Sequence, residues 1–320
     1  MSRFFQSVLI VWGSLVGTGW ILPALAQPAP SRPAELELKM VTGSEAGQYH
    51  RLGQDLETLL RQYGLDLDPI PTQGSLENIQ ELYNHPSIVL GFSQLDVLAL
   101  LPKLSSGDSE LRQQVDSLRI VLPLYRETVH LVSRSPIASL RDLAGKRVSL
   151  GDAGSGTSIT AATLLRTTGV APASLRYLPT SRAILALRQG EIDAFFLVSG
   201  TPDPALTTEV QAQDGFRLLP VTLPRANNDE FLSQIYQPTT VAVRTYPWQS
   251  EAVPSLTVGS AILTTADANC NQISPFVTLV ATHLDQLKQT GSPLWKSVNR
   301  DRPAGLMAKR LSACVPPTLP

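Results

Sequence analysis

The chain has 320 residues, with 43% hydrophobic residues, 17% charged residues and a formal net charge of −1 at pH 7. This composition is that of an ordinary globular protein, and it lacks the excess of basic residues that is typical of nucleic-acid-binding proteins. The length exceeds the usual size of one domain, so we expect two structural lobes and no nucleic-acid partner.

The N-terminal residues have the pattern of a secretory signal peptide. Arg3 precedes an apolar stretch that runs to Leu25, and Ala24-Leu25-Ala26 has the small-x-small form of a cleavage site. We predict a signal peptide over residues 1–26, a proline-rich linker over 27–35 and a periplasmic mature protein. The alternative is an uncleaved membrane anchor, for which the apolar stretch is marginal, since a spanning helix needs about 20 apolar residues.

The strands and helices predicted for the first part of the chain alternate. Residues 36–41 alternate apolar and polar side chains, as a half-buried strand does, and Leu52, Leu56 and Leu59 recur at helical spacing. Predicted strands follow at 66–70, 88–92, 119–124 and 129–133, with predicted helices at 75–83 and 94–101.

A second series of alternating elements begins near Leu140. Its predicted strands are 147–150, 175–178 and 193–198, and its predicted helices are 159–167 and 181–188. Two further strands, at 239–244 and 257–263, and helices at 273–288 and 306–311 complete the chain. Such alternation predicts an α/β fold with parallel strands and helices on both faces of the sheet.

Two loops rich in Gly, Ser and Thr are the main candidates for binding chemistry. Residues 42–47 and 151–158 each follow a predicted strand and lead into a predicted helix. Free N–H groups at a helix N-terminus attract anions, and ligands of α/β sheets bind at the carboxyl ends of the strands. The alternative is that these residues only cap helices and form turns.

No catalytic or metal-binding motif is evident. The chain contains neither G-x-G-x-x-G nor a phosphate-binding loop with Gly-Lys-Ser/Thr, and neither G-x-S-x-G nor H-E-x-x-H. The four histidines are dispersed without metal-ligand spacing. We therefore predict no enzyme activity, no metal and no cofactor. Cys270 and Cys314 are the two cysteines, and both a disulfide and two buried free thiols remain open alternatives.

Six segments in a fixed order resemble the TAXI family, the extracytoplasmic solute-binding subunits of one class of tripartite (TRAP) transporters. The segments are VTGSEAGQY (41–49), TQGSLEN (72–78), GFSQLDV (91–97), LYRETVH (124–130), LAGKRVSLGDAGSGT (143–157) and LRQGEIDAFF (187–196). The resemblance implies a type II periplasmic-binding-protein-like fold, in which crossover strands join two α/β lobes and a cleft closes on the ligand. It covers nearly all of residues 36–263.

The resemblance also implies a lobe arrangement and a ligand site. Residues 36–133 and 229–320 are expected to form lobe 1, and residues 134–228 lobe 2. The implied ligand-binding residues are Gly43, Ser44, Gln48, Tyr49, Gln73, Gly74, Ser75, Ser93, Gln94, Gly154, Ser155, Gly156 and Thr157. Tyr125 and Arg182 are weaker candidates, for a ring wall and for an anion partner respectively.

The expected function is capture of a small anionic molecule by a monomeric binding protein. Known ligands of the resembling family are small carboxylates such as glutamate, glutamine and 2-oxoglutarate, and the implied partners are TRAP permease subunits. Two alternatives remain: the same fold serving a sensor or an ABC-type importer, and an enzyme built on this fold.

Overall fold

The computed structural model describes residues 36–104, 109–134, 136–223, 230–299, 302–303 and 305–318. The predicted signal peptide (1–26) and linker (27–35) lie outside the described residues. Within these ranges no helix combines the length and the apolar character needed to cross a membrane.

The structure contains ten described strands and ten described α-helices. The strands are β1 (Leu36–Val41), β2 (Leu65–Ile70), β3 (Ile88–Gln94), β4 (Leu118–Arg134), β5 (Arg147–Ser149), β6 (Ser174–Arg176), β7 (Ala194–Ser199), β8 (Phe216–Leu218), β9 (Gln237–Val241) and β10 (Val253–Thr265). The helices are α1 (Gln48–Arg61), α2 (Ser75–Asn84), α3 (Leu95–Leu104), α4 (Ser109–Ser117), α5 (Gly156–Thr168), α6 (Thr180–Gln189), α7 (Pro204–Thr208), α8 (Glu230–Ile235), α9 (Cys270–Thr282) and α10 (Leu284–Thr290).

One strand order occurs twice in the sheet. In the first lobe the order is β2-β1-β3-β10-β4, where β10 is antiparallel to both of its neighbours. In the second lobe the order is β6-β5-β7-β4-β8, and β4 takes the corresponding antiparallel position. The strands β2-β1-β3 and β6-β5-β7 are parallel. This is the predicted type II periplasmic-binding-protein-like fold, two α/β lobes joined by crossover strands.

The crossover strand β4 belongs to both lobes. Residues from Leu118 to Thr128 pair with β10, whereas residues from Thr128 to Ser133 pair with β7. A single strand therefore carries hydrogen bonds of the first lobe along one part and of the second lobe along the next. The predicted boundary between residues 133 and 134 falls near the end of this strand, and the exact extents of the lobes remain a prediction.

Each lobe buries apolar side chains on both faces of its sheet. In β7, Phe196 and Val198 pack into one cluster and Phe195 and Leu197 into another, as the alternation of a strand requires. In β1, Leu38 and Met40 pack beside α1, while Val41 joins the cluster on the opposite face. Helices cover both faces of the sheet, which explains why β7 is buried along its whole length.

Several predicted elements differ from the observed ones. The strands predicted at 119–124 and 129–133 are one strand, because residues 126–128 between them also pair with β10. The helix predicted at 273–288 is two helices, α9 and α10, separated at His283. The segment 306–311 is mostly a 3₁₀ helix, Gly305–Arg310, and α4 was not predicted.

Cys270 and Cys314 form a disulfide in the structure, with their Cα atoms 4.8 Å apart. Cys270 begins α9, and Cys314 packs into the apolar cluster that contains α9 residues such as Phe276. The bond therefore ties the C-terminal segment to the first lobe.

Candidate functional site

A cleft of about 420 Å³ lies where the parallel strands of both lobes end. The carboxyl end of β3 and the segments that follow β1, β2, β5, β6 and β7 all contribute lining residues. Carboxyl ends of parallel strands gather at one edge of a sheet, which is why loops distant in sequence meet here. The volume is within the range of small-molecule sites.

Most of the predicted ligand-binding residues line this cleft. Those that do are Gly43, Ser44, Gln48, Tyr49, Gln73, Gly74, Ser75, Gln94, Ser155, Gly156 and Thr157. Ser93 and Gly154 are not among the lining residues: Ser93 is buried and donates to the Gln94 carbonyl, and Gly154 packs beside Gln73 and Glu77. Arg182 is exposed and does not line the cleft either, whereas Tyr125 does.

The helices α1, α5 and α6 begin at the cleft with unused N–H groups. The amides of Gln48, Gly156 and Thr180, at the starts of α1, α5 and α6, donate no hydrogen bond within the described residues. A helix N-terminus carries a partial positive charge, so these groups can bind an anionic oxygen. Two of these helices, α1 and α5, follow the glycine-rich loops 42–47 and 151–158, and the anion site there remains a prediction.

The start of α2 uses most of its N–H groups within the chain, although the Ser75 amide donates no hydrogen bond within the described residues. The amides of Leu76 and Glu77 both donate to the Gly154 carbonyl of the opposite lobe, at 3.0 and 3.2 Å. The Gln73 amide donates to the Glu77 carboxylate at 2.7 Å. The loop around Gly74 therefore contributes contact between the lobes and leaves the Ser75 amide for a ligand.

Gln48 is a second contact between the lobes. Its side-chain oxygen accepts hydrogen bonds from the Ser199 hydroxyl (2.9 Å) and the Gly200 amide (2.6 Å), and its NH₂ group donates to the Gly200 carbonyl (3.3 Å). Its predicted contact with a ligand thus competes with partners in the protein.

The start of α5 depends on two hydroxyl groups. The Ser155 hydroxyl caps the helix by accepting from the Ser158 amide at 3.2 Å, and the Thr157 hydroxyl accepts from the Val198 amide of β7 at 3.0 Å. A Cβ atom on Gly156 would collide with the Gln94 side chain and lie 2.8 Å from the Ser75 hydroxyl. Gly156 therefore permits close approach of α5 to the first lobe.

Glu127 lies in the cleft and was missed by the sequence analysis. Its side chain on β4 is 2% exposed, and one carboxylate oxygen accepts from the Gln94 NH₂ group at 2.6 Å. Burial raises the pKa of Glu127 to about 7, and the polar groups of Gln94, Tyr49 and Tyr125 beside it partly oppose that shift. The available signal was a Tyr125-x-Glu127 alternation between the two predicted strands 119–124 and 129–133.

Three more carboxylates line the cleft: Asp152, Asp203 and Glu209. Asp203 is buried, caps α7 by accepting from the Leu206 amide, and accepts from the Ser199 hydroxyl. Burial raises the pKa of both Asp152 and Asp203. The described lining residues include no Lys or Arg, so the side chains give the cleft a negative character.

A buried polar network lies next to the cleft. Asp96, in the first turn of α3, accepts hydrogen bonds from Thr160 of α5 (2.5 Å) and from Tyr236 (2.8 Å). Burial raises the pKa of Asp96 to about 6. This network joins helices of both lobes. Among the residues that the structure describes, no group of three His, Cys, Asp or Glu side chains is placed to hold a metal ion.

Solved structures share this fold at low sequence identity. A protein of Bordetella bronchiseptica RB50 matches with a TM-score of 0.53 and 13% identity, over 89% of this chain and 91% of that chain. XAC2383 from Xanthomonas citri, bound to ATP, matches with a TM-score of 0.51 and 14% identity, over 86% of this chain and 93% of that chain. The periplasmic aliphatic sulphonate binding protein SsuA from Escherichia coli has a TM-score of 0.45 and 19% identity, over 85% and 88% of the two chains.

The sequence pattern of one family, described as the NMT1-like family, matches residues 40–307. The match includes every strand except the first residues of β1, and every segment that lines the cleft.

Proposed function

Since the chain belongs to the NMT1-like family, we propose that it is an exported solute-binding protein that captures a small carboxylate and delivers it to a TRAP-type membrane transporter. The observation that carries this proposal is the cleft between two α/β lobes, with free helix N-termini from both lobes. A carboxylate bound by such N–H groups makes short, charge-assisted hydrogen bonds.

Closure of the lobes on the ligand is the proposed mechanism. Gln48 joins α1 to the loop after β7, and the Gly154 carbonyl joins the other lobe to the start of α2. Such contacts can hold a closed cleft, while the crossover strands β4 and β10 allow the lobes to rotate. Ligand bound between the lobes then favours the closed form by its additional contacts with both.

A thermal-shift screen of the purified mature protein tests the capture of a small carboxylate. Amino acids, dicarboxylates and oxoacids form the panel, and a ligand that binds only the folded protein raises the melting temperature. Recovery of the bound compound unchanged is expected for a binding protein. A chemically altered product would contradict the proposal that the protein binds without turnover.

Export and the transporter partner need separate experiments. Mass spectrometry of the mature protein is expected to find Gln27 at the N-terminus, whereas residues 1–26 retained in the membrane fraction would contradict cleavage. Cells from which TRAP permease genes have been deleted are expected to lose uptake of the identified ligand. Uptake that depends instead on an ABC importer, or a response that depends on a sensor kinase, would support the alternative partner.

A further inference from the structure

The polar groups at the base of the cleft suggest a second chemical feature of the ligand. Glu127 is 2% exposed, and the Gln94 NH₂ group is its hydrogen-bonded partner at 2.6 Å. Tyr49 and Tyr125 lie beside the same carboxylate and line the same cavity. Because side chains two residues apart share a face of a strand, β4 presents Tyr125 and Glu127 together.

Neither tyrosine hydroxyl group makes a hydrogen bond of good geometry within the described residues, although both lie within reach of the Glu127 carboxylate. The hydroxyl oxygens of Tyr49 and Tyr125 are inaccessible to solvent. The Tyr125 side chain is itself 2% exposed. Each hydroxyl group can donate to Glu127, and its oxygen then still has room to accept a hydrogen bond. Buried polar groups in native proteins seldom leave such capacity unused, so a ligand donor is the expected partner of both oxygens.

The charge of the cleft specifies the kind of partner. Asp152, Asp203 and Glu209 add three carboxylates to Glu127, and no Lys or Arg is present among the described lining residues. A concave site lined by one sign of charge concentrates ligands of the opposite charge. A dicarboxylate would have to place one of its anionic groups against this wall without a cationic side chain.

We infer that the captured molecule carries a protonated primary amine whose three N–H groups bind the Glu127 carboxylate and the hydroxyl oxygens of Tyr49 and Tyr125. A primary ammonium group has three donors and no acceptor, and this corner of the cleft offers three oxygen acceptors. Together with the carboxylate of the proposed function, on which this inference rests, the ligand class becomes that of amino acids rather than oxoacids or dicarboxylates.

The opposing explanation is that Glu127 is neutral and donates its proton to an uncharged or anionic ligand. The two explanations differ in what Glu127→Gln does, because glutamine retains a donor and loses the charge. They also differ in pH dependence: an ammonium ligand needs ionised Glu127, whereas an anionic ligand needs the protonated form.

Matched pairs of ligands provide the first experiment. Each amino acid is compared by thermal shift and calorimetry with its 2-oxoacid, for example L-glutamate with 2-oxoglutarate, and putrescine serves as an amine without a carboxylate. We expect at least a hundredfold tighter binding of one amino acid than of its oxoacid. Equal or tighter binding of an oxoacid would overturn the inference and leave the proposed function intact.

The remaining outcomes of this panel are also informative. Binding of putrescine without binding of any carboxylate would support the amine site and contradict the carboxylate in the proposed function. Binding of none of these compounds would contradict the proposed function together with the inference.

Three variants provide the second experiment, with the amino acid found above as ligand. Glu127→Gln is expected to weaken binding at least a hundredfold and Tyr125→Phe about five- to twentyfold, because each removes an acceptor. Glu191→Gln removes an exposed carboxylate outside the cleft and is expected to leave affinity unchanged. Affinity of a folded Glu127→Gln variant within threefold of the wild type would overturn the inference.

The pH dependence of the wild-type protein gives a test that does not depend on a variant folding. Asp96 on α3, Tyr49 on α1 and Tyr125 on β4 are the titratable groups that face Glu127. Since the pKa of Glu127 is raised to about 7, affinity for the amine ligand is expected to rise severalfold to tenfold per pH unit from pH 5 to 7 and to level off above pH 7. Affinity that falls over this range would overturn the inference.

Discussion

At the scale of single residues, Asp96 combines complete burial with a raised pKa. Its folded-state pKa of about 6 lies above the ordinary value of 3.8, so the folded protein holds this proton more tightly than the unfolded chain does. Its protonated form therefore stabilises the protein at low pH, and this contribution is lost as the pH rises from about 4 to above 6. The full shift corresponds to about 3 kcal/mol as an upper value.

We predict that Asp96→Asn gains stability relative to the wild type as the pH rises. The difference in the free energy of unfolding is expected to change by up to about 3 kcal/mol in favour of the variant between pH 4 and pH 8. Urea unfolding across this range measures it. Burial lowers the pKa of His130 to about 4. Because His130 titrates in both proteins, its contribution cancels in the difference between their free energies of unfolding. A difference independent of pH would contradict the prediction.

The Thr157 hydroxyl group has a structural contact and a predicted ligand contact, and one pair of variants distinguishes their contributions. Its hydroxyl accepts from the Val198 amide and also lines the cleft. Thr157→Ala leaves a buried amide without a partner, so it is expected to cost about 1–3 kcal/mol of stability and, with a donor lost, to weaken ligand binding about ten- to a hundredfold.

The matched control is Thr157→Ser, which keeps the hydroxyl group. Urea unfolding and calorimetry are expected to show a clear loss of stability and of ligand affinity for Thr157→Ala and a small loss of both for Thr157→Ser. Reduced stability with unchanged affinity in Thr157→Ala would mean that this hydroxyl only anchors the helix.

The sequence indicated one part of the site better than the other. Glycine and hydroxyl residues before helices are recognisable locally, since the backbone conformation and the cap depend on adjacent residues. Glu127 and Tyr125 lie within a long strand, and their meeting with Gln94 and Tyr49 depends on the pairing of β4 with β10 and of β10 with β3. No local pattern encodes that arrangement.

At the scale of secondary-structure elements, α5 is positioned by close contact with the first lobe. We predict that Gly156→Ala prevents this contact, because the added Cβ would meet the Gln94 side chain and the Ser75 hydroxyl. Small-angle scattering in the presence of ligand is expected to give a larger radius of gyration than for the wild type, with weaker binding. The control is Thr168→Ala, at the other end of α5. This variant is expected to have the same radius of gyration with ligand as the wild type.

A Gly156→Ala variant that binds ligand and compacts like the wild type would contradict the role of this contact. The expected loss is in closure rather than in folding, because the helix itself tolerates alanine at its first turn.

Alternation and helical periodicity predicted most strands and helices because those patterns follow from burial within one element. The prediction failed where a partner decides the outcome. Residues 126–128 read as a break between two strands, yet pairing with β10 keeps them extended. The start of α5 at Gly156 rather than Ile159 follows from the Ser155 cap, which holds the first turn in place.

At the scale of the whole molecule, the disulfide links two segments that are 44 residues apart in sequence. We predict that Cys270→Ser/Cys314→Ser lowers the free energy of unfolding by about 2–4 kcal/mol, since the bond restricts the unfolded chain. Denaturant unfolding with and without a reducing agent measures this. The reductant is expected to destabilise the wild type and to leave the double variant unchanged; equal stability of both oxidised proteins would contradict the prediction.

The position of β10 has a consequence for the order in which the chain folds. This strand lies between β3 and β4 and pairs with both, yet it follows every other strand in the sequence. A chain that emerges from the ribosome N-terminus first therefore presents β3 and β4 with facing edges unpaired until almost all of it has been made. Unpaired strand edges bind chaperones or aggregate. The second lobe, whose strands β5 to β8 all precede β10, can form first, while the first lobe stays open until β10 has been made.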